Sequence, residues 1–302
     1  MTPERNRRLT FFLRSLCLVV FSIAPVLSDS ISDPPQPCTS SDSWCKLERE
    51  SKFPRPFSGV FIDSIHAVHG VVPSESQRTL PRKPFANGEK FVFDVAWGPI
   101  SAGYTILEAF PDTSGKRIVI TGKGMTNGFF SSLYKVRDFI RADLDLNGTY
   151  PFFFEQHLRE GHYRADRWEM FDQSRNTVFT YKKDADAVSV PPFVQNYFSM
   201  IYWVRSLSFA PGDSFSFNCF VDKKSYRLVL TCQSRVTVKV DAGTFNCLLV
   251  KPLLVGEGRV FAKKDEILLW FTDDEYKMPV MAKAKIKFGS ITGRLVWYER
   301  KH

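Results

Sequence analysis

The chain has 302 residues, a formal net charge of +9, 15% aromatic residues with 28 phenylalanines, and six cysteines. That length suffices for one large β domain with its own core. The mild basicity is spread along the chain with no nucleic-acid motif beside it, so it points to a solvated basic exterior or an anionic surface, not to nucleic acid.

Arg5, Arg7, Arg8 and Arg14 precede an uncharged apolar stretch from Leu16 to Leu27, followed by small and polar residues. This is the layout of a secretory signal peptide. The stretch is well short of the roughly 20 residues that span a bilayer as a helix. Cleavage is expected after Ser28. Leu16 before Cys17 argues against a lipoprotein site, and Arg7 and Arg8 lack the phenylalanine of a twin-arginine signal. Residues 1–28 carry four arginines and Glu4, leaving +6 on the remainder. No second long apolar run follows, so a protein without a transmembrane segment after cleavage is expected. The compartment is exported: periplasmic, secreted or envelope-associated.

Residues 29–84 are rich in proline, serine and charge and read as a partly ordered leader or linker. Cys38 and Cys45, in "CTSSDSWC", can close a small disulfide loop in an oxidising compartment. His66 and His69, in "HAVH", have no acidic or sulfur-bearing neighbours and read as loop histidines.

From Phe85 to the end at 302 the texture predicts a single β domain. "EKFVFDVAW", "AGYTILEAF" and "KRIVITGKG" are strand-length runs separated by turn signals. "RDFIRADLDL" leads into a hairpin at Asn147 and Gly148, and "FFFEQHLREGHYRADRWEMF" and "TVFTYKK" continue the pattern. A short helix is expected in "NGFFSSLYKV". "FVQNYFSMIYWVRSLSF", residues 193–209, places Phe193, Tyr197, Met200, Ile201, Val204 and Leu207 at helical spacing and predicts one amphipathic helix. After residue 213 come seven further strands. Roughly a dozen strands with short connections imply a mainly β fold, an antiparallel meander curled into a barrel or half-barrel with the helix across its concave side. Cys219, Cys232 and Cys247 fall on these strands, and their pairing is open.

"WFTDDEYKMPV" sets Asp273 and Asp274 in a hairpin loop before Pro279, a strand-start or edge position. In "MAKAKIKF", Lys283, Lys285 and Lys287 share one face and Ala282 and Ala284 the other. Such a row guards a sheet edge or contacts an anion or partner.

Several phrases together resemble the exported bacterial family catalogued as domain of unknown function 3108: "FANGEKFVFDVAWGPISAGYTILEA", "YKVRDFIRADLD", "SMIYWVRSL", "DAGTFNCLLVKPL" and "LLWFTDDEYKMPVMAKAKIKFGSITGRL". The resemblance covers about residues 85–299. Ser199, Tyr202 and Arg205 match the helix phrase; Trp270, Asp273, Asp274, Pro279 and Val280 match the hairpin phrase. It implies an exported, mainly β protein with no established activity or catalytic residues.

The aromatic content exceeds what a thin core needs, so Trp97, Tyr104, Tyr202, Trp203 and Trp270, with Arg205 as an anion-holding group, are the candidate ligand contacts. As a structural group, Arg205 would instead pin the helix to Asp273 or Asp138. No catalytic constellation, metal spacing or cofactor motif is visible; His157 and His162 would fall on opposite faces of a strand. The favoured reading is an exported β-barrel-like protein that binds an apolar or amphipathic, lipid-like envelope component in its concave face. The alternatives are an envelope interaction protein without a small ligand and an envelope-polymer hydrolase.

Overall fold

The structure, a computed structural model, describes residues 42–71, 77–181, 187–255, 267–285 and 289–300. The expected signal peptide, Cys38 and Lys287 lie outside these residues. In chain order the elements are α1 (Ser43–Glu50), α2 (Gly59–His69), β1 (Glu89–Trp97), β2 (Ile100–Pro111), β3 (Arg117–Thr126), α3 (Gly128–Leu133), β4 (Arg137–Asp145), β5 (Pro151–Glu160), β6 (Tyr163–Asp172), β7 (Thr177–Thr180) and β8 (Val188–Ser189). Then follow α4 (Ser199–Arg205), β9 (Ser214–Val221), β10 (Lys224–Val240), β11 (Gly243–Val255), β12 (Ile267–Thr272), β13 (Pro279–Lys285) and β14 (Ser290–Arg300).

All fourteen strands belong to one antiparallel sheet in the order β8-β7-β6-β5-β4-β3-β2-β1-β14-β13-β12-β11-β10-β9. Two meanders therefore meet at its centre, where β1 pairs with β14 from Glu89↔Arg300 to Trp97↔Ile291. The sheet keeps two edges, β8 and β9, and is a curled half-barrel, not a closed barrel. The curl brings distant strands together: Phe171 of β6 and Phe220 of β9 pack edge to face with ring centroids 6.0 Å apart.

Alternation explains the curl. Phe91, Phe93, Leu107, Ile120, Ile140 and Phe154 all point to the inner face and join one buried cluster with Val204, Phe220 and Leu248. Burying each such side chain contributes about 2–3 kcal/mol, and a flat sheet would leave this face wet. The connector from β8 to β9 fills what remains. It first runs extended, with Gln195 bridging Cys219 of β9, then turns into α4. Helix starts at Ser199 and ends at Arg205, well inside the 193–209 span expected from periodicity. Phe193 at φ 54° and the Gln195 bridge hold the first part of that span in another conformation. Phe198 lies over Gly122 of β3, where an added Cβ would sit 2.6 Å from the ring; only glycine allows this approach.

The outer face is covered too. Trp44 and Cys45 of α1 bury Val92, Ile106 and Met125, and Glu48 pairs with Lys123 at 2.6 Å and Lys90 at 3.2 Å. Ile65 of α2, with Phe57 and Ile62, covers Phe153, Met170 and Phe179. Ser58 caps α2 by accepting from the Phe61 amide, and Gly70, at φ 60°, ends it while Val71 N–H bonds back to His66 O; this is the left-handed glycine stop of many helices. His66 and His69, expected in a loop, thus lie in the last turn of a helix, and His69 stacks on Phe179 at 4.4 Å.

Candidate functional site

Arg205 is fully buried. Its guanidinium forks onto Glu89, Nη1 to Oε1 and Nη2 to Oε2, the latter at 2.7 Å. Its Nε–H donates to Tyr276 O at 3.3 Å, and the rings of Phe85, Phe91 and Tyr202 surround it. Burial disfavours the charge, but Glu89 more than offsets this and holds Arg205 protonated. The helix is thus pinned to the first residue of β1. The expected partners are engaged elsewhere: Asp273 takes Arg235 Nε–H at 2.6 Å, and Asp138 accepts from the Arg159 amide at 2.7 Å. Tyr202, Trp203 and Trp270 are likewise buried in the core, Tyr202 edge-on to Phe85 and Trp203 against Phe217.

The other two candidate aromatics stand elsewhere, at the end of the sheet where β1 hands over to β2. Antiparallel register stacks Tyr104 beside Met125, Gly124 beside Asp138, and Val136 beside Glu160. Here the inner rows change character. Phe93 gives way to Val95, Leu107 to Thr105, Ile140 to Asp138 and Leu158 to Glu160. The smaller or shorter side chains leave an opening of about 190 Å³ bordered by Val95, Thr105, Gly124, Tyr134, Asp138 and Glu160; the Tyr104 and Met125 side chains turn to the outer face, where the Tyr104 hydroxyl lies 2.7 Å from Ser43 Oγ. Both carboxylates are buried. Trp97, 52% exposed, stands on the β1–β2 turn at this end.

α3 lies over the same end, held by polar bonds. Asn127 caps it by accepting from Phe130 N–H at 3.0 Å, and ties it to β2 through Asn127 N to Ala102 O and Nδ2 to Ser101 O, at 2.9 and 2.8 Å. None of its residues is buried. The Tyr134 ring closes over Gly161, where a Cβ would sit 2.7 Å away.

Two polar clusters were not foreseen. At the seam between the two arms, a small cavity is bordered by Gln156, Glu169, Thr180, Tyr197 and Lys223. Glu169 as a whole is partly exposed, but its Oε2, like Thr180 Oγ1, is shielded from solvent without a hydrogen-bond partner. Burial pushes the Glu169 carboxyl up to about 8, with Arg167 and Lys223 opposing and Asp222 assisting. On the outer face, His157 bridges Asp166 through Nδ1 at 2.6 Å and Glu155 through Nε2 at 2.8 Å, and Glu155 Oε2 also accepts the Phe57 amide at 2.7 Å. Burial alone would lower the His157 pKa, yet the two carboxylates raise it. The one sequence signal was "PFFFEQHLRE", a strand with Glu155, Gln156 and His157 buried amid phenylalanines on both faces. Tandem burial of this kind requires cover on the outer side.

Asp274 organises its turn, accepting from Thr272 Oγ1–H and the amides of Tyr276 and Lys277. Pro279 begins β13. That strand pairs on both sides, with β12 and β14, so an edge-guarding role for its lysines does not hold. Lys283 is half-buried, Lys285 is exposed, and Ala282 and Ala284, which alternate with them, are buried. Cys219, Cys232 and Cys247 are free and buried. Among the described residues no cluster of three His, Cys, Asp or Glu side chains could hold a metal ion, and no helix is long and apolar enough to cross a membrane.

No curated protein matches the chain. The fold resembles the crystal structure of a beta-barrel-like protein of domain of unknown function 1849 from Brucella abortus: TM-score 0.53, 9% identity, covering 74% of this chain and 99% of that one. Two matches with lower scores are a candidate exported protein with a YmcC-like fold from Bacteroides fragilis (TM-score 0.31, 11% identity, 74% of this chain and 99% of the other) and a candidate lipoprotein from Parabacteroides distasonis (TM-score 0.29, 9% identity, 74% and 100%). The family model described as protein of unknown function (DUF3108) matches residues 92–296. With more than half of its length so matched, the chain belongs to that family.

Proposed function

We propose that the protein is exported and holds the apolar part of an amphipathic, lipid-like envelope molecule at one end of its half-barrel. The observation that carries this reading is the opening of about 190 Å³, left where the inner rows lose their large side chains. Pockets that engulf a drug-sized ligand start at about 300 Å³, so the opening takes one end of a molecule, not the whole of it. α4 and its aromatics occupy the rest of the concave face, which moves the binding place from the centre of the half-barrel to its end. In this reading Trp97 stands beside the ligand, Tyr104 lies on the outer face with its hydroxyl against Ser43 of α1, and Tyr202, Trp203, Arg205 and Trp270 hold the helix and sheet packed behind the opening. Asp138 and Glu160 favour a ligand carrying a hydroxyl or amine near its apolar part. Among the described cysteines Cys45 is disulfide-bonded and the other three are free, which supports Cys38 as its partner and an oxidising compartment.

The test is native mass spectrometry of the protein purified from its own envelope fraction, with extraction of bound material, alongside Val136→Trp, which fills the opening. A stoichiometric amphiphile lost in Val136→Trp is the expected result. A clean unliganded mass obtained with membrane lipids present throughout, or a ligand retained by the variant, would overturn the reading and favour an interaction protein without a small ligand.

A further inference from the structure

Five of the eleven large apolar side chains exposed among the described residues gather at the end that carries the opening: Trp97, Ile100, Phe129, Leu133 and Tyr134, between 44% and 70% exposed. Phe129 and Leu133, four residues apart on α3, share one face of that helix, which buries none of its own residues. α3 is fixed to the start of β2 by the Asn127 bonds and to the end of β3 by Ser131 Oγ–H donating to Thr126 O at 2.9 Å. The fold thus spends polar bonds to hold apolar groups out in water, which core packing does not explain.

Three exposed cations stand around this patch, and Asp94, at the same end, is half-buried and bonded to Ser101. Lys135 follows Tyr134 directly and its carbonyl accepts from the Gly161 amide; Arg164 stands at the start of β6; Lys285 pairs in register with Ser290, whose carbonyl takes the Gly98 amide beside Trp97. All three are exposed, whereas Asp138 and Glu160 at the same end are buried. Aromatic and aliphatic side chains ringed by cations match the layered chemistry of an anionic bilayer surface, apolar beneath and negative at the headgroups.

We propose that this rim docks on an anionic lipid bilayer, with Trp97, Ile100, Phe129 and Leu133 entering the interface while Lys135, Arg164 and Lys285 lie against headgroup phosphates. It deepens the reading above by setting the opening against the membrane, and it is tested separately. The full chain is floated with vesicles of phosphatidylcholine alone or mixed with phosphatidylglycerol, and Trp emission is compared with that of Trp97→Phe. The expected result is binding to the mixed vesicles with a blue shift missing in Trp97→Phe. Partitioning should fall at least about tenfold in Phe129→Asp/Leu133→Asp, and in Lys135→Glu/Lys285→Glu or at about 0.5 M salt. These substitutions are on exposed residues, and circular dichroism checks that each variant is folded. Absence of vesicle binding, equal binding to both vesicle types, or a Phe129→Asp/Leu133→Asp variant that floats like the parent would overturn the proposal and favour a protein partner. Docking without any extracted amphiphile would overturn the uptake reading and leave the docking intact.

Discussion

Replacing Glu169 with glutamine should stabilise the protein, increasingly so as the pH rises. The carboxyl of Glu169 is raised to about 8 from an ordinary 4.5. Between these values the unfolded chain has lost the proton that the folded protein keeps, so folding stability falls as pH rises from about 4.5 to about 8 and is level above that. With about 1.36 kcal/mol per pKa unit, the penalty is about 2 kcal/mol at pH 6 and nearly 5 kcal/mol at pH 9. Glutamine keeps the shape of the protonated acid and cannot ionise. Urea unfolding of parent and Glu169→Gln at the two pH values gives the relevant double difference, in which other titrating groups cancel. The variant should gain roughly 2–3 kcal/mol more over the parent at pH 9 than at pH 6. A gain that is the same at both values, or below about 0.5 kcal/mol, would refute burial as the cause of the shift.

Arg205→Met should cost about 3–5 kcal/mol, because it leaves Glu89 buried without its cation; adding Glu89→Leu should recover most of that loss, and chemical denaturation of the single and double variants checks it. Gly122→Ala drives a Cβ into the Phe198 ring and should cost about 1–3 kcal/mol, with Phe198→Leu in the same chain relieving it; a Gly122→Ala protein as stable as its parent would contradict the packing. The thiols of Cys219 and Cys247 are pushed well up by burial and that of Cys232 is also raised, so an aromatic disulfide reagent at pH 8 should label all three only after unfolding. His157 is raised, so its contribution is fully present below its unfolded value near 6.5 and fades as pH climbs through the folded one. Limited proteolysis should therefore cut the segment around Phe57 faster at pH 9 than at pH 6, and His157→Gln should remove that difference.

Local rules carried most of the sheet. "EKFVFDVAW" is β1 residue for residue, because strand-length apolar runs and turn signals act over distances that sequence order preserves. Where tertiary context decided, the reading ran out. Nothing near Arg205 in the sequence announces Glu89, and charge alone made Asp273 and Asp138 equal candidates. The periodicity of 193–209 was genuine, but pairing of Gln195 with β9 outweighed helix propensity before Ser199. The opening arises from substitutions at the ends of four rows, Val95, Thr105, Asp138 and Glu160, each unremarkable alone. Trp97 and Tyr104 were legible as unusual aromatics; α3, whose exposure matters more than its composition, was legible only as a helix.

The order of the sheet sets when it can be completed. β1 and β14 are its central pair, yet they lie at opposite ends of the sheet's sequence, so their register cannot close until β14 has been made. Until then each meander has only hairpins formed with its own neighbours, and β1 and β13 both present open edges. Those edges recruit other strands if left waiting, and pairings of such long range form slowly. A polypeptide of this design gains from being kept extended during synthesis and released whole, as happens when a chain is threaded through a membrane before it folds.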